Sequence, residues 1–406
     1  MSAFGFAAAR VVTCDPARGD GLGVIEDGAV VVDGDRLIYV GPRAGAPGSA
    51  ALEDLGECVV TPGLVDAHTH ACWAGSRHAE YVARMSGGDY GAIARAGGGI
   101  RSTHRAVADA SEDDLAQALA ARLRRMASLG VTTVEVKSGY GLERAQEEKQ
   151  LAAIARAAAR SDLPAVVPTL LALHALPRVG MSAAERAAFV ATVARELVPS
   201  AGRQHLARFV DAYVDRDAFT VDEARAVGDA ALAAGLGVRL HVGQFADVGG
   251  AELAAALGAA SADHLEHVSP AAIEALARAG VAAVLLPVAS FTLGQAPPPV
   301  AALRAAGVPL VVASDANPGT APTESLPLAM ALAVRNYGLS VDEAILGATR
   351  HAAASLRLPD RGVLRPGARA DVVVWDLPHE HAIVQPWGVS MARRVIIGGR
   401  ALGSLG

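Results

Sequence analysis

Short apolar runs rich in β-branched residues alternate with longer segments rich in Ala, Arg and Glu between residues 61 and 356. The runs have the length of strands, and the intervening segments have the length and amphipathic spacing of helices. One such segment begins after Ser111, a favourable N-cap, and ends at Gly130, a residue type that often terminates helices. We predict eight strands, at residues 63–68, 131–137, 164–170, 207–214, 237–242, 261–265, 281–286 and 308–314.

Eight strands that are each joined to the next by a helix favour a parallel sheet. Eight is also the number of strands that closes a (β/α)8 barrel of the TIM type. We therefore predict the α/β class, with a TIM-like barrel over residues 61–356. An open doubly wound sheet is the alternative, because spacing along the chain does not separate these two folds.

The two flanks of the barrel segment have a different pattern. Residues 1–60 and 357–406 contain short apolar runs broken by Gly and Asp, without helical periodicity. Such runs are typical of antiparallel meanders, and neither flank is long enough to form a stable domain alone. We expect both chain ends to combine into one small composite β-sandwich domain beside the barrel.

Composition excludes several classes of protein. The 406 residues include 36 basic and 42 acidic side chains, a net charge of −6, without a basic stripe that would bind nucleic acid. No apolar stretch reaches the roughly 18 uncharged residues that a membrane helix requires. Three cysteines, Cys14, Cys58 and Cys72, are too few for a disulfide framework and fit a reducing compartment. We expect a cytoplasmic protein that acts on a small molecule.

Side chains that bind metals terminate several predicted strands. His68 and His70 come at the end of the first strand, His241 ends the fifth, His264 ends the sixth, and Asp315 directly follows the eighth. Because barrel active sites form where strands end and the next loops begin, we expect these groups to lie close together. His68 and His70 are two residues apart and therefore project to the same side of an extended chain.

Imidazole and carboxylate ligands suit Zn²⁺, and non-haem iron, Fe²⁺ or Fe³⁺, is chemically close. A set of His68, His70, His241 and Asp315 leaves a position for water, as in a catalytic rather than a closed structural site. The ion lowers the pKa of such a water towards neutrality. A second His-x-His, at residues 379–381, lies far from any predicted barrel strand, and we predict a solvated turn there.

Several segments resemble the amidohydrolase superfamily and, within it, the imidazolonepropionase family. They are TPGLVDAHTH, HACWAGSRHAEY, GGDYGAIARAGGGIRST, GVTTVEVKSGYGL, GGAELAAALGAASADHLEH, SDANPGTAPTES and GVLRPGARADVVVWD, and they span most of residues 58–400. The resemblance implies a metal-bound barrel, a β-domain built from both chain ends, and a homodimer. The fourth strand, ARFVDAYV, lacks the Lys that two-metal members often carry, which implies a single metal ion.

The reaction of that family is hydrolysis of a ring C–N bond of 4-imidazolone-5-propanoate to N-formimidoyl-L-glutamate, in histidine degradation. The resemblance implies that the four metal ligands are those named above. It also implies a receptor for the propionate arm, and a guanidinium such as that of Arg77 is well suited to a carboxylate. The implied substrate contacts are Arg77, Tyr140, His174, Gln244, Asn317, Gly319 and Thr320, with Tyr90 as a further candidate.

The proton-transfer residue is less directly implied. The chain reads His241-Val242-Gly243-Gln244, and an amide orients a substrate but takes up no proton at neutral pH. We therefore expect Gln244 to assist catalysis by orientation, with proton transfer by His264, Asp315 or the metal hydroxide. Two alternatives stay open. One is another one-metal amidohydrolase, such as a guanine or cytosine deaminase, and the other is a barrel scaffold without catalysis.

Overall fold

The strands of the protein form two sheets. The computed structural model describes residues 3–48, 51–88 and 98–402. Its strands are Phe4–Val12 (β1), Val24–Asp33 (β2), Arg36–Pro42 (β3), Ala51–Asp54 (β4), Val59–Pro62 (β5), Leu64–Asp66 (β6), Val131–Lys137 (β7), Ala165–Leu173 (β8), Phe209–Val214 (β9), Gly237–Val242 (β10), Ser261–His264 (β11), Ala282–Leu285 (β12), Leu310–Val312 (β13), Val372–Trp375 (β14), Ala392–Ile397 (β15) and Arg400–Ala401 (β16).

Most helices lie between the strands of the second sheet. They are His78–Met85 (α1), Ile100–Asp109 (α2), Glu112–Ser128 (α3), Arg144–Ala158 (α4), Ala183–Thr192 (α5), Val198–Arg203 (α6), Val221–Ala233 (α7), Gly250–Ala256 (α8), Pro270–Ala279 (α9), Pro287–Leu293 (α10), Val300–Ala305 (α11), Leu326–Tyr337 (α12), Val341–Gly347 (α13) and Arg350–Ser355 (α14). A π-helical turn, Val193–Leu197, joins α5 to α6, and short 3₁₀ helices occupy Pro16–Arg18, Arg43–Gly45 and Glu380–Val384. In the described ranges, none of these helices is long and apolar enough to span a bilayer.

The second sheet is the predicted barrel. Strands β6 to β13 follow one another in chain order, and each pairs with the next in parallel. This order excludes the doubly wound alternative, in which the strand order reverses within the sheet. All eight predicted strands are confirmed, with ends that shift by up to three residues.

The barrel closes where β6 approaches β13. An isolated parallel bridge joins Thr69 to Ala316, just beyond the ends of these two strands. The amide of Asp315 donates to the carbonyl of His68 at 3.0 Å, and the amide of His70 donates to the carbonyl of Ala316 at 3.0 Å. These bonds place the residues that follow the first and last barrel strands side by side.

The other sheet combines both chain ends, as predicted for the small β-sandwich domain. Its order is β16-β15-β14-β5-β1-β2-β3, and β4 also pairs with β1. The pairs β1–β2, β2–β3, β14–β15 and β15–β16 are antiparallel, but β4 and β5 run parallel to β1, which corrects the purely antiparallel expectation. The domain boundaries at residues 60/61 and 356/357 stay predictions, and β5 crosses the first of them.

Local sequence signals explain where the barrel helices begin and end. The Ser111 hydroxyl accepts from the Asp114 amide while the Asp114 carboxylate accepts from the Ser111 amide, a capping box that starts α3. Gly130, which leads from α3 into β7, has a φ of +92°. A Cβ there would lie 2.6 Å from the Trp375 ring, so a glycine is required where the β-domain packs on the barrel.

Candidate active site at the carboxyl ends of the barrel strands

Four side chains from three distant parts of the barrel converge on one point. The Nε2 atom of His70 lies 3.3 Å from Nε2 of His241 and 3.4 Å from Oδ1 of Asp315. The Nε2 atom of His68 lies 3.5 Å from the same Asp315 oxygen. All four side chains are almost completely buried. The residues selected from strand ends in the sequence are thus brought together.

Two buried carboxylates lie behind these rings. Oδ2 of Asp263 lies 2.6 Å from Nδ1 of His68, and Oδ2 of Asp211 lies 3.0 Å from Nδ1 of His241. Asp211 also accepts the backbone amide of His241 at 3.2 Å. A proton on Nδ1 that faces a carboxylate leaves Nε2 as the unprotonated, ligating nitrogen. The carboxylates therefore favour the tautomer in which both rings can bind a metal.

The geometry fits a divalent transition metal. Ligands about 2.0–2.1 Å from a tetrahedral ion are roughly 3.3–3.4 Å from one another, close to the separations measured here. Among the described residues, the buried Nε2 of His68 has no hydrogen-bond partner, which an ion would provide. Nitrogen and carboxylate donors suit zinc or iron. The ligating atoms of His68, His70 and His241 all lie within 4.8 Å of one another, so these three rings can hold a metal ion, with Asp315 beside two of them.

Electrostatics keep the His68 and His70 rings neutral. Burial, together with repulsion by nearby positive charges, lowers the pKa of His68 and of His70 well below 6.5. Burial also raises the pKa of Asp315 to about 7, although the charge of His264 opposes this shift. Neutral imidazole is the form that binds a metal, so no proton has to leave His68 or His70 at neutral pH.

His264 lies beside the cluster and contacts a second buried acid. Its ring centroid lies 5.5 Å from that of His241, and its Nδ1 lies 3.6 Å from Oε2 of Glu266. Burial lowers the pKa of His264, but interaction with Glu266 and the charges of Asp315 and Asp263 together outweigh this effect and leave the pKa raised. Glu266 also accepts a hydrogen bond from the hydroxyl of Ser290.

Two residues of this site have strained backbones. His264 has a φ of +85° and Asp315 a φ of +55°, in the left-handed region that non-glycine residues seldom adopt. Such conformations cost about 1–3 kcal/mol each and persist only where the surrounding structure holds them. The two residues expected to transfer protons are thus held in fixed, unfavourable backbone positions.

Arg77 and the loop after β13 form one wall of the site. Arg77 is buried, and its Nε and Nη2 lie 2.9 and 2.7 Å from the Glu80 carboxylate. A Cβ on Gly319 would lie 2.1 Å from Nη1 of Arg77, so the absence of a side chain there makes room for the guanidinium. Oδ1 of Asn317 accepts the amides of Gly319 and Thr320, which shapes this loop.

Tyr140 and His174 form the neighbouring wall. The His174 ring stacks on His70 with centroids 5.2 Å apart, and Tyr140 lies 6.0 Å from His70 and 5.3 Å from His174. His174 Nδ1 lies 2.8 Å from the Gly139 carbonyl, so this nitrogen carries the proton. Burial lowers the pKa of His174 to about 3, which keeps Nε2 as an acceptor.

Gln244 lies on a loop shaped by a glycine. Gly243 has a φ of +66°, and a Cβ there would lie 2.2 Å from the His267 carbonyl, which fixes the turn after β10. The Gln244 side-chain oxygen accepts from the Tyr213 hydroxyl at 3.0 Å, and the Tyr213 ring lies 5.9 Å from that of His241. Gln244 is therefore placed next to the cluster by Tyr213.

Two further sequence expectations concern residues outside this cluster. The turn at residues 379–381 begins the 3₁₀ helix Glu380–Val384, and the side chains of His379 and His381 are about half exposed. Glu380, however, is buried and binds the Arg10 guanidinium through both oxygens, so the turn is only partly solvated. Tyr90 lies outside the described residues.

Sequence reasoning missed the acids and the lysine beneath the cluster. Glu135 and Lys137 alternate along β7, Asp211 lies in β9, and Asp263 directly precedes His264 in β11. All four are fully buried. The sequence signal for these residues was a charged side chain inside an otherwise apolar strand. Such side chains are seldom buried without a partner, so they indicate buried ion pairs.

Known proteins resemble this chain over most of its length. The sequence profile of the amidohydrolase family matches residues 59–402. The imidazolonepropionase of Rhizorhabdus wittichii is 45% identical over 370 residues, covering 90% of this chain and 92% of that protein. The imidazolonepropionase of Acidiphilium cryptum is 45% identical, covering 96% and 97%, and that of Paracoccus denitrificans is 42% identical, covering 96% and 98%.

Solved structures of more distant proteins share the fold. Atrazine chlorohydrolase from Arthrobacter aurescens, complexed with zinc, superimposes with a TM-score of 0.71 at 18% identity, covering 98% of this chain and 95% of that one. A zinc-bound adenosine deaminase from Xanthomonas campestris gives a TM-score of 0.70 at 20% identity, covering 98% and 92%. On the sequence matches, the chain belongs to the amidohydrolase family and, within it, to the imidazolonepropionases.

Proposed function

We propose that this hydrolase opens the ring of 4-imidazolone-5-propanoate at a C–N bond to give N-formimidoyl-L-glutamate, a step of histidine degradation. The observation that carries the proposal is the convergence of His68, His70, His241 and Asp315, with Arg77 packed against Gly319 in the loop that follows Asp315. The first four form a ligand set for one ion, zinc or iron. Arg77 supplies a buried cationic receptor, which a substrate with a propionate arm requires.

Two residues are proposed to transfer protons. Asp315 is also a proposed metal ligand, and His264 is not. When bound, the ion acts as a Lewis acid and makes water nucleophilic at neutral pH. Asp315 accepts the proton of the attacking water, and His264 donates one to the leaving ring nitrogen. Glu266, 3.6 Å from Nδ1 of His264, keeps that ring oriented for the transfer.

The remaining residues bind and orient the substrate. Arg77 binds the propionate, with the Tyr140 hydroxyl as a second donor. His174 and Gln244 present polar atoms to the imidazolone ring, and Thr320 and Gly319 border it from the loop that Asn317 shapes. Because Gln244 is a neutral amide, it aligns the ring and transfers no proton.

The direct test is a ring-opening assay with purified protein and synthetic 4-imidazolone-5-propanoate. We expect N-formimidoyl-L-glutamate as product, loss of turnover with a strong chelator, and recovery on addition of zinc or ferrous iron. Asp315→Asn and His264→Asn are each expected to lower kcat by about 100-fold or more. Turnover of guanine or cytosine in place of imidazolonepropanoate would overturn the proposal.

The family also supports a homodimer in the cytoplasm. Sedimentation equilibrium measures the mass in solution, and cell fractionation measures the location. A mass of one chain at micromolar concentration would exclude the dimer.

A further inference from the structure

Lysine is almost absent from this chain. Of its 36 basic residues, 34 are arginine, and the two lysines are Lys137 and Lys149. Lys149 is partly buried and donates to three backbone carbonyls, at residues 107, 108 and 110. Lys137 is completely buried inside the barrel, and the proposed reaction gives it no role.

Three carboxylates surround the Lys137 ammonium. Its Nζ lies 2.8 Å from Asp211, 2.9 Å from Glu135 and 3.9 Å from Asp263, and all three acids are fully buried. Burial lowers the pKa of Lys137, but attraction by these charges outweighs that effect and leaves the pKa raised. Lys137 is therefore charged throughout the physiological range.

Two of these acids are the ones behind the metal-binding rings. Asp211 lies 3.0 Å from Nδ1 of His241, and Asp263 lies 2.6 Å from Nδ1 of His68. A single ammonium thus joins two carboxylates that each orient one ligand. His241 belongs to β10 and His68 to the loop after β6, and these strands are not neighbours in the sheet. Lys137 therefore connects the supports of two ligands that the sheet itself does not place side by side.

We propose that Lys137 is a positioning residue for the metal site: its ammonium fixes Asp211 and Asp263, and through them the orientation of His241 and His68. The inference rests on the proposed metal site. Among the residues that the structure describes, the ion pairs of Lys137 are with Glu135, Asp211 and Asp263. Its positioning effect therefore passes through carboxylates, while its charge also acts directly on His68 and His70.

The chemistry of the position explains why a lysine is present. Three buried carboxylates require positive charge, and Arg239 supplies part of it, with Nη2 3.7 Å from Asp263. The remaining space is surrounded by acids on three sides, which suits a compact ammonium with three donors better than a planar guanidinium. An uncharged side chain there would leave Asp211 without its cation and free to rotate away from His241.

The test compares metal affinity in two variants with a matched control. Lys137→Met removes the donor and the charge, and Lys137→Gln removes the charge but keeps a donor. Lys149→Met removes the other lysine, away from the site. We expect both Lys137 variants to raise the zinc dissociation constant by about 10- to 100-fold, as loss of outer-shell partners does. Lys149→Met leaves that constant unchanged.

A spectroscopic measurement separates positioning from general loss of stability. The cobalt-substituted protein absorbs in the visible range with bands that depend on ligand geometry, and we expect these bands to shift in Lys137→Gln. In kinetics at saturating metal, kcat falls and KM stays constant.

In the double variant with Asp263→Asn, the loss of affinity is smaller than the product of the two single losses, because both act on one contact.

The outcomes are distinct. A folded Lys137→Gln with normal zinc affinity and normal cobalt bands overturns the inference, whatever its melting temperature. If Lys137→Met does not fold, Lys137→Gln and the double variant decide the question by the same measurements. A wild-type protein that binds zinc but does not open the imidazolone ring overturns the proposed function and leaves the metal-affinity result valid.

Discussion

At the scale of single residues, Gly319 tests the proposed anion receptor without altering any charge. A methyl group at this position would meet Nη1 of Arg77, at 2.1 Å from the ideal Cβ. We expect Gly319→Ala to displace the guanidinium and raise KM for imidazolonepropanoate by about 10- to 100-fold, the value of a charge-assisted hydrogen bond. The measurement is steady-state kinetics with the acid and with its propanamide analogue.

The control separates this effect from a general one. Gly21→Ala adds a methyl group that meets nothing within 4 Å and should leave KM unchanged. The propanamide analogue has no carboxylate, so its KM should respond little to Gly319→Ala. Equal losses for acid and amide would show that Arg77 does not bind the propionate.

The sequence indicates the proposed metal ligands better than the residues that support them. His68, His70 and Asp315 were recognisable because barrel chemistry lies at strand ends. Lys137 and Asp211 lie within strands, and their roles depend on which strands are opposite one another across the barrel. That relation is set by closure of the sheet and is not contained in any local pattern. The sequence therefore shows that these strands carry charged residues, but only the three-dimensional structure shows which groups they pair with.

At the scale of elements, the junction between α3 and β7 connects the barrel to the β-domain. Gly130 and Gly280 both precede a barrel strand with positive φ, +92° and +67°. A Cβ on Gly130 would meet Trp375 at 2.6 Å, whereas one on Gly280 meets nothing within 4 Å. Gly280→Ala should cost about 1–2 kcal/mol for its backbone conformation alone. Gly130→Ala should cost about 1–3 kcal/mol more, because the methyl group overpacks against the ring.

Urea denaturation followed by circular dichroism measures both variants. Equal free energies of unfolding for the two would show that the Trp375 contact is not important for stability. A combined Gly130→Ala/Trp375→Phe variant should recover part of the loss, because the smaller ring makes room for the methyl group.

Strands and helices were predictable where a local sequence pattern was sufficient to determine them. The eight barrel strands are almost wholly buried, as strands of parallel sheets are, and the capping box at Ser111 marks the start of a helix. The pairing of β1 was not predictable in the same way. It pairs with β2, β4 and β5, two of them in parallel, and the β-domain needs β14 from the other chain end to complete its middle. No local sequence pattern indicates pairing between strands that are so far apart in the chain.

At the scale of the whole molecule, the proposed metal site lies across the closure of the barrel. His68 and His70 follow the first barrel strand, and Asp315 follows the last. Among the described residues, a short parallel bridge and a few hydrogen bonds join these two ends, whereas β8 and β9 share a longer ladder. An ion bound by residues from both ends would therefore stabilise the closure between β6 and β13 more than it stabilises the other strand pairs of the sheet.

Metal removal should consequently loosen the barrel unevenly. We expect amides at the closure, such as those of His70 and Asp315, to exchange with deuterium at least about tenfold faster after chelation, and amides of β8 and β9 to change little. Saturating metal should also stabilise the whole fold, by about 4 kcal/mol at 1,000 times its dissociation constant. Hydrogen exchange by mass spectrometry, on peptides covering residues 66–72, 312–318 and 167–173, measures the difference. Uniform protection across these peptides would mean that the ion stabilises the barrel globally without joining its two ends.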